Sequence, residues 1–169
     1  KIGSGSKNIF INQSKNEFKK NIVIKKGNYV FQKYFKGNEI SIDCYFSSKN
    51  NKLINIVPRN RNIIVSGESS LTTVINNKSI YFNEIKQIGK IFKFSGHIMF
   101  QCFLSKKGLQ IFECNPRIGG ASFVSYYNSM DSIYYFISEN IFPKKKLKFK
   151  NYNLKGSKLL IYKKTKFIK

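Results

Sequence analysis

The chain has 169 residues, enough for one domain with a real core or for a large part of a bigger one. Lys and Arg number 31 against 8 Asp and Glu, a formal net charge of +23. The excess is mostly Lys, spread from end to end beside abundant Asn, Ile, Phe and Tyr. It reads as a solvated basic surface, and nucleic acid is not the expected partner.

No apolar run approaches the ~20 residues needed to span a bilayer, so no membrane partner is expected. No signal peptide is visible, and the cytoplasm is the default location. Cys44, Cys102 and Cys114 sit in apolar strand contexts without C-x-x-C spacing and read as buried thiols of a reducing compartment. The single histidine, His97, leaves a zinc cluster or a Ser/His/Asp triad poorly supported and reads as structural.

In chain order, Lys1-Ile2-Gly3-Ser4-Gly5-Ser6-Lys7 is a glycine and serine loop running into a strand at Asn8 to Ile11. Such a loop lays backbone N–H groups and hydroxyls over a polyphosphate, although flexible linkers look the same. Ser14 to Lys20 predicts a short helix with Ser14 as N-cap and Glu17 completing a capping box. A strand at Ile22 to Ile24 and a turn at Lys25 to Asn28 lead into an extended run, Tyr29 to Phe35. Lys36-Gly37-Asn38 turns the chain into a strand, Glu39 to Phe46. Alternation puts Glu39, Ser41 and Asp43 on one face of it and Ile40, Ile42 and Cys44 on the other.

Leu53 to Val57 and Arg61 to Val65 continue the sheet, with a break at Pro58-Arg59-Asn60 and a loop at Ser66 to Ser70. Ser79 to Phe92 has apolar residues at helical spacing, Ile80, Phe82, Ile85, Ile88 and Ile91 or Phe92. Asp131 to Ile141 predicts a second helix, capped by Asp131, with Ile133, Tyr134, Phe136, Ile137 and Ile141 as its apolar surface. A last strand is expected at Lys158 to Tyr162. No internal repeat and no second domain are evident.

Of the eight acids, Glu17, Glu84, Asp131 and Glu139 fall in helical segments and read as surface charges. The other four, Glu39, Asp43, Glu68 and Glu113, fall in segments that read as functional. Ile111-Phe112-Glu113-Cys114-Asn115-Pro116-Arg117-Ile118-Gly119-Gly120 is the most telling of these, because it alternates an acid, an amide and a guanidinium ahead of paired glycines. If Lys106-Lys107-Gly108 closes a three-residue hairpin loop with Gly108 left-handed, Ser105 pairs with Leu109 and Gln101 falls opposite Glu113. Gln101, Glu113 and Asn115 then share a face. Ile98, Phe100, Cys102, Leu104, Phe112 and Cys114 make the dry back. Oxygen-only ligands suit a hard cation such as magnesium, and Arg117 can grip a phosphate or carboxylate in bidentate fashion.

The ordered set of Gly/Ser loop, Phe31-Gln32-Lys33-Tyr34-Phe35-Lys36-Gly37-Asn38-Glu39 with Ser41 and Asp43, Gly67-Glu68-Ser69, Gln101 and Glu113-Cys114-Asn115-Pro116-Arg117 resembles the ATP-grasp superfamily. Its carbamoyl-phosphate synthase large-chain-like branch is the most similar. The resemblance implies an α+β fold, a largely antiparallel sheet with helices packed on one face. It implies an ATP-grasp domain over 1–143, truncated at its N-terminus, and a basic extension over 144–169.

By the same resemblance Gln101, Glu113 and Asn115 bind magnesium, with manganese as an alternative. Asn115 and Arg117 are catalytic, Arg117 holding the transferred phosphoryl group or acyl phosphate. Glu39 accepts from the ribose hydroxyls, Gln32, Lys33, Tyr34 and Phe35 enclose the adenine, and Gly3, Ser4, Gly5 and Ser6 cover the phosphates. The implied reaction is ATP-dependent ligation of a small carboxylate to an amine or other nucleophile through an acyl phosphate. The family's preceding Lys-Pro strand and N-terminal domain do not occur here, so a missing N-terminal part of the same protein is an implied partner. Val65 stands where many relatives place a basic residue; Arg59 and Arg61 either compensate or are surface charges. The alternatives are a noncatalytic nucleotide-binding or regulatory module and a basic nucleic-acid-binding domain.

Overall fold

The structure is a computed structural model that describes residues 11, 14–24, 31–76, 79–106, 108–142 and 156–161. The Gly3 to Ser6 loop, most of the expected strand at Asn8 to Ile11, the Lys25 to Asn28 turn and most of the 144–169 extension lie outside these residues.

The described elements are α1 (Lys15–Ile24), β1 (Glu39–Phe46), β2 (Leu53–Val65), β3 (Glu68–Val74), α2 (Ser79–Phe92), β4 (Gly96–Ser105), β5 (Gly108–Asn115), a 3-10 turn (Gly120–Ser122), α3 (Phe123–Tyr127), α4 (Ser132–Asn140) and β6 (Lys158–Leu160). The strands form one antiparallel sheet in the order β5-β4-β1-β2-β3-β6. The class is α+β, with the antiparallel sheet that the resemblance implies. Among the described residues no helix is long and apolar enough to cross a membrane.

Local chemistry sets several boundaries. In α1, Ser14 Oγ accepts from the Glu17 N–H and Glu17 Oε2 accepts from the Ser14 N–H, each at 3.2 Å, which is the reciprocal capping box. The helix then runs on to Ile24, so Ile22 to Ile24 are its last turn and not a strand. Phe31 to Lys36 forms no helix and pairs with no strand among the described residues. Ser66 and Gly67 both have positive φ, 51° and 81°, and make a two-residue hairpin turn between Val65 and Glu68. The expected loop at Ser66 to Ser70 is therefore this tight turn plus the start of β3.

Pro58 does not break β2. Its carbonyl accepts from the Ile75 N–H at 2.8 Å, so its backbone polar side faces just past the end of β3. The missing N–H falls where no ladder bond is needed, and pairing with β1 continues as Ile42 opposite Pro58.

One face of the sheet packs Ile40, Ile42, Cys44, Phe46, Ile56, Ile98, Phe100 and Cys102 against Tyr81 and Ile85 of α2. The other face packs Tyr45, Val57 and Val74 against Val124, Met130 and Tyr135 of the α3–α4 segment. Helices thus cover both faces, not one. The reason is strand alternation, which gives β1 an apolar residue on the second face at Tyr45, beyond its polar positions Ser41 and Asp43.

The buried side of α4 is also not the apolar stripe. Ser132, Tyr135, Ser138 and Glu139 are buried, while Ile133, Phe136, Ile137 and Ile141 are exposed. Hydrogen bonds decide this: Glu139 Oε2 accepts from Tyr45 Oη at 3.1 Å and from the Ser48 N–H and Oγ at 3.0 Å each. Burial alone would raise the Glu139 pKa, but the Ser47 hydroxyl, then Ser48 and Tyr45, hold it below the usual value. Glu139 is therefore a buried acceptor and not a surface charge. Glu84 likewise anchors the β4–β5 hairpin, accepting from the Leu109 N–H at 2.9 Å.

Cys44 and Cys102 are buried, and burial pushes the Cys102 thiol up to about 12. Cys114 is exposed, because β5 is the outermost strand and its side chains lack a neighbour on one flank.

Candidate functional site

The front of the sheet, the face carrying Glu39, Ser41 and Asp43, is covered by α3 and α4 only over its Asp43–Tyr45 end. Asp43 makes the junction. It is fully buried, receives Arg59 Nε at 2.9 Å, Ser122 Oγ at 2.5 Å and Ser125 Oγ at 2.6 Å, and lies 3.3 Å from His97 Nε2. Burial alone would raise its pKa, yet Arg59 and then the His97, Ser122 and Ser125 hydrogen bonds hold it well below the usual carboxylate range. His97 Nδ1 in turn meets Ser132 Oγ at 2.7 Å. Asp43 therefore fixes the 3-10 turn to the sheet, and with it the Gly119-Gly120 corner that follows Arg117. Its role here is to build the site's floor.

Beyond this junction the front is polar. Gln101 stands opposite Glu113, and Met99 opposite Asn115. Ser105 pairs with Gly108, however, one residue tighter than the expected Ser105–Leu109 closure, and Cys102 pairs with Ile111. An extra residue at Phe112 restores the Gln101–Glu113 match. Gly108 has φ 94°, as its turn position requires. The bulge removes Phe112 from the dry back and places its ring 5.1 Å from that of Phe103.

Asn115 Nδ2 donates to Glu113 Oε1 at 2.8 Å, which leaves the Asn115 carbonyl oxygen and Glu113 Oε2 for another partner. Among the described residues no group of three His, Cys, Asp or Glu can hold a metal. A cation here would rest on one carboxylate and two amide oxygens, a donor set that fits magnesium with several retained waters. Arg117 is exposed, its Nη1 donating to the Ile118 carbonyl at 3.3 Å.

Arg59 and Arg61 are the residues that sequence reasoning left open. Arg59 is buried against Asp43, and Arg61 is not a surface charge either. Its guanidinium donates to Gln101 Oε1 at 2.6 Å and to the Gly67 carbonyl at 2.5 Å, and pairs with Glu39. Desolvation lowers its pKa, against the opposing pull of Glu113. Arg59 and Arg61 alternate with the register of β1, Ser41 opposite Arg59, and that spacing was the available signal. Reading Pro58 to Asn60 as a break hid it.

Two cavities flank Arg61. One, of about 80 Å³, is lined by Ser41, Arg59, Arg61, Glu68, Ser69, Gln101, Arg117 and Gly119 among others. The second, of about 360 Å³, is lined by Asn38, Glu39, Asn60, Arg61, Phe103 and neighbours. Gln32 Nε2 donates to the Phe112 carbonyl at 3.0 Å, tying the Phe31–Phe35 segment to β5. In that segment the Lys33 ammonium lies over the Phe35 ring at 5.6 Å and Tyr34 is exposed. The geometry thus brings together Gln101, Glu113, Asn115 and, through Arg61, Glu39. Gln32 joins them by its bond to β5, while Gly3, Ser4, Gly5 and Ser6 lie outside the described residues.

Among solved structures the chain is similar to the biotin carboxylase domain dimer of the Hydrogenobacter thermophilus 2-oxoglutarate carboxylase, described in complex with magnesium ADP, ADP and bicarbonate. The TM-score is 0.52 at 13% identity, covering 70% of this chain and 27% of that one. It also matches a complex of Campylobacter jejuni biotin carboxylase with β-γ-ATP, at TM-score 0.49 and 18% identity, covering 63% of this chain and 26% of that one. The chain thus spans about a quarter of the length of either structure. No curated protein matches it. A family model described as ATP-grasp in the biosynthetic pathway with Ter operon matches residues 25–153, and the chain belongs to that ATP-grasp family.

Proposed function

We propose that this chain is the ATP-binding part of an ATP-dependent ligase that joins a small carboxylate to an amine or related nucleophile through an acyl phosphate. Within the superfamily we place it in the carbamoyl-phosphate synthase large-chain-like branch. The observation that carries the reading is the oxygen cluster of Gln101, Glu113 and Asn115 across the β4–β5 hairpin, with Arg117 just beyond it. The ATP-grasp family supports it, as does a fold relative described with magnesium ADP and bicarbonate.

In this reading Gln101, Glu113 and Asn115 would hold magnesium, or manganese in its place, which when bound would supply neutralisation of phosphate charge. Arg117 orients the phosphoryl group. Glu39 accepts from the ribose hydroxyls. The Gln32 to Phe35 segment encloses the base, and Gly3 to Ser6 close over the phosphates. No side-chain nucleophile is required, because placement and charge neutralisation do the work. The domain covers 1–143, with 144–169 as a basic extension, in the cytoplasm. In this reading an N-terminal part completes the site, in keeping with the chain spanning 27% of the biotin carboxylase domain structure it resembles.

Thermal unfolding of the full chain with and without ATP and magnesium tests this. A raised Tm that Glu113→Ala abolishes supports it, and an unchanged Tm counts against it. Turnover with a panel of carboxylates and amines then separates a ligase from a noncatalytic nucleotide-binding module.

A further inference from the structure

Arg61 lines both cavities on the front of the sheet, the larger one beside Glu39 and Phe103 and the smaller one beside Gln101 and Arg117. Its guanidinium spans the boundary, held from one side by Glu39 and from the other by Gln101 and the Gly67 carbonyl. On the nucleotide reading proposed above, Glu39 and Gln101 are the groups that receive the ribose and the magnesium ion. Both are committed to Arg61 in the structure.

The two commitments conflict physically. A Gln101 oxygen that accepts from a guanidinium at 2.6 Å presents a positive charge to any cation approaching the same oxygen. A nucleotide reaching from Glu39 to Gln101 would also pass through the volume that the guanidinium fills. We infer that Arg61 is a displaceable bar between the two cavities: loading of a magnesium nucleotide exchanges Glu39 and Gln101 from Arg61 to the ligand and turns the guanidinium away.

Removing a cation from beside an anion site ordinarily weakens anion binding. Here it removes a competitor, and the apparent affinity rises by the reciprocal of the fraction of molecules that are otherwise open.

The experiment measures magnesium ADP binding to the full chain by calorimetry, for the native protein, Arg61→Met and Arg61→Lys. The Met variant is expected to bind about tenfold more tightly, with the Lys variant between, because an ammonium keeps the charge but lacks the planar fork that fixes the guanidinium on its three acceptors. Equal or weaker binding by Arg61→Met overturns the inference while leaving the nucleotide reading intact. Absence of binding by all three proteins removes both. A second measurement needs no variant: arginine-labelled native protein followed by NMR should show a restrained Arg61 guanidinium that becomes freely rotating when magnesium ADP is bound. A guanidinium equally restrained in both states overturns the displacement even if the affinities move as expected.

Discussion

Gln101 faces Glu113 across the β4–β5 hairpin while β5 carries one residue more than β4 beside that pair: Cys102 meets Ile111, Gln101 meets Glu113, and Phe112 falls opposite no residue of β4. The extra residue does not itself position Glu113. With Phe112 deleted, Ile111 and Glu113 become neighbours and the regular alternation still sends one to the back and the other to the front. The deletion variant should therefore fold, with unchanged far-ultraviolet dichroism, and should keep the rise in Tm given by ATP and magnesium. A folded deletion variant that has lost that rise would show that the bulge is needed to aim the carboxylate.

The same hairpin shows how far a sequence carries. Alternation and turn chemistry named the Gln101–Glu113 pair, since both depend on neighbours within a few residues. The bulge at Phe112 was illegible, because a shorter turn plus one extra residue and a longer turn without one give the same pairing at Gln101. Helices α2 and α4 were found from spacing and capping, yet the buried side of α4 was misjudged. Its orientation is set by acceptors for Tyr45 and Ser48, which are distant in sequence. Arg61 was undecided for a similar reason: its three partners come from β1, β4 and the β2–β3 turn. Local signals fix elements, and long-range polar pairing fixes which face is used.

Asp43 should make stability fall in acid. Its folded pKa lies below the value of about 3.9 for a free aspartate, so near that pH the unfolded chain takes up a proton that the folded chain refuses. The stabilisation is fully present above pH 4 or so and is lost as pH drops towards the folded value. Asp43→Asn leaves Arg59 buried without its counter-charge, a loss of about 3–5 kcal/mol at neutral pH. Urea unfolding of both proteins at pH 7 and pH 3 should show the gap between them narrowing in acid. A gap independent of pH would mean that Asp43 is not held ionised by its partners.

Gly89 in α2 lies over the sheet so closely that a Cβ there would come within 2.3 Å of Phe46 Cε1. Helix propensity alone would favour Gly89→Ala by about 1 kcal/mol. Overpacking a fully buried ring costs about 1–3 kcal/mol, and with an overlap this deep the cost should win. Chemical denaturation is expected to show net destabilisation. Combining it with Phe46→Leu should cost less than the sum of the two single changes, because the smaller side chain vacates the space the new methyl needs.

The two glycines after Arg117 look equivalent in sequence and are not. A Cβ on Gly119 would sit 2.6 Å from Met99 Sδ and 3.1 Å from Ser122 Oγ, the hydroxyl that ties the 3-10 turn to Asp43. A Cβ on Gly120 meets nothing within 4 Å. Gly119 has φ −84°, which alanine adopts freely, so the cost of Gly119→Ala is steric and not a matter of backbone strain. That change should destabilise by about 1–3 kcal/mol and, by pushing the turn off the sheet, weaken magnesium nucleotide binding. Gly120→Ala should be within about 0.5 kcal/mol of the native protein and bind as it does. Denaturation and calorimetry on the pair test this directly, since equal losses at both positions would mean that the corner needs glycine for freedom and not for room at Met99.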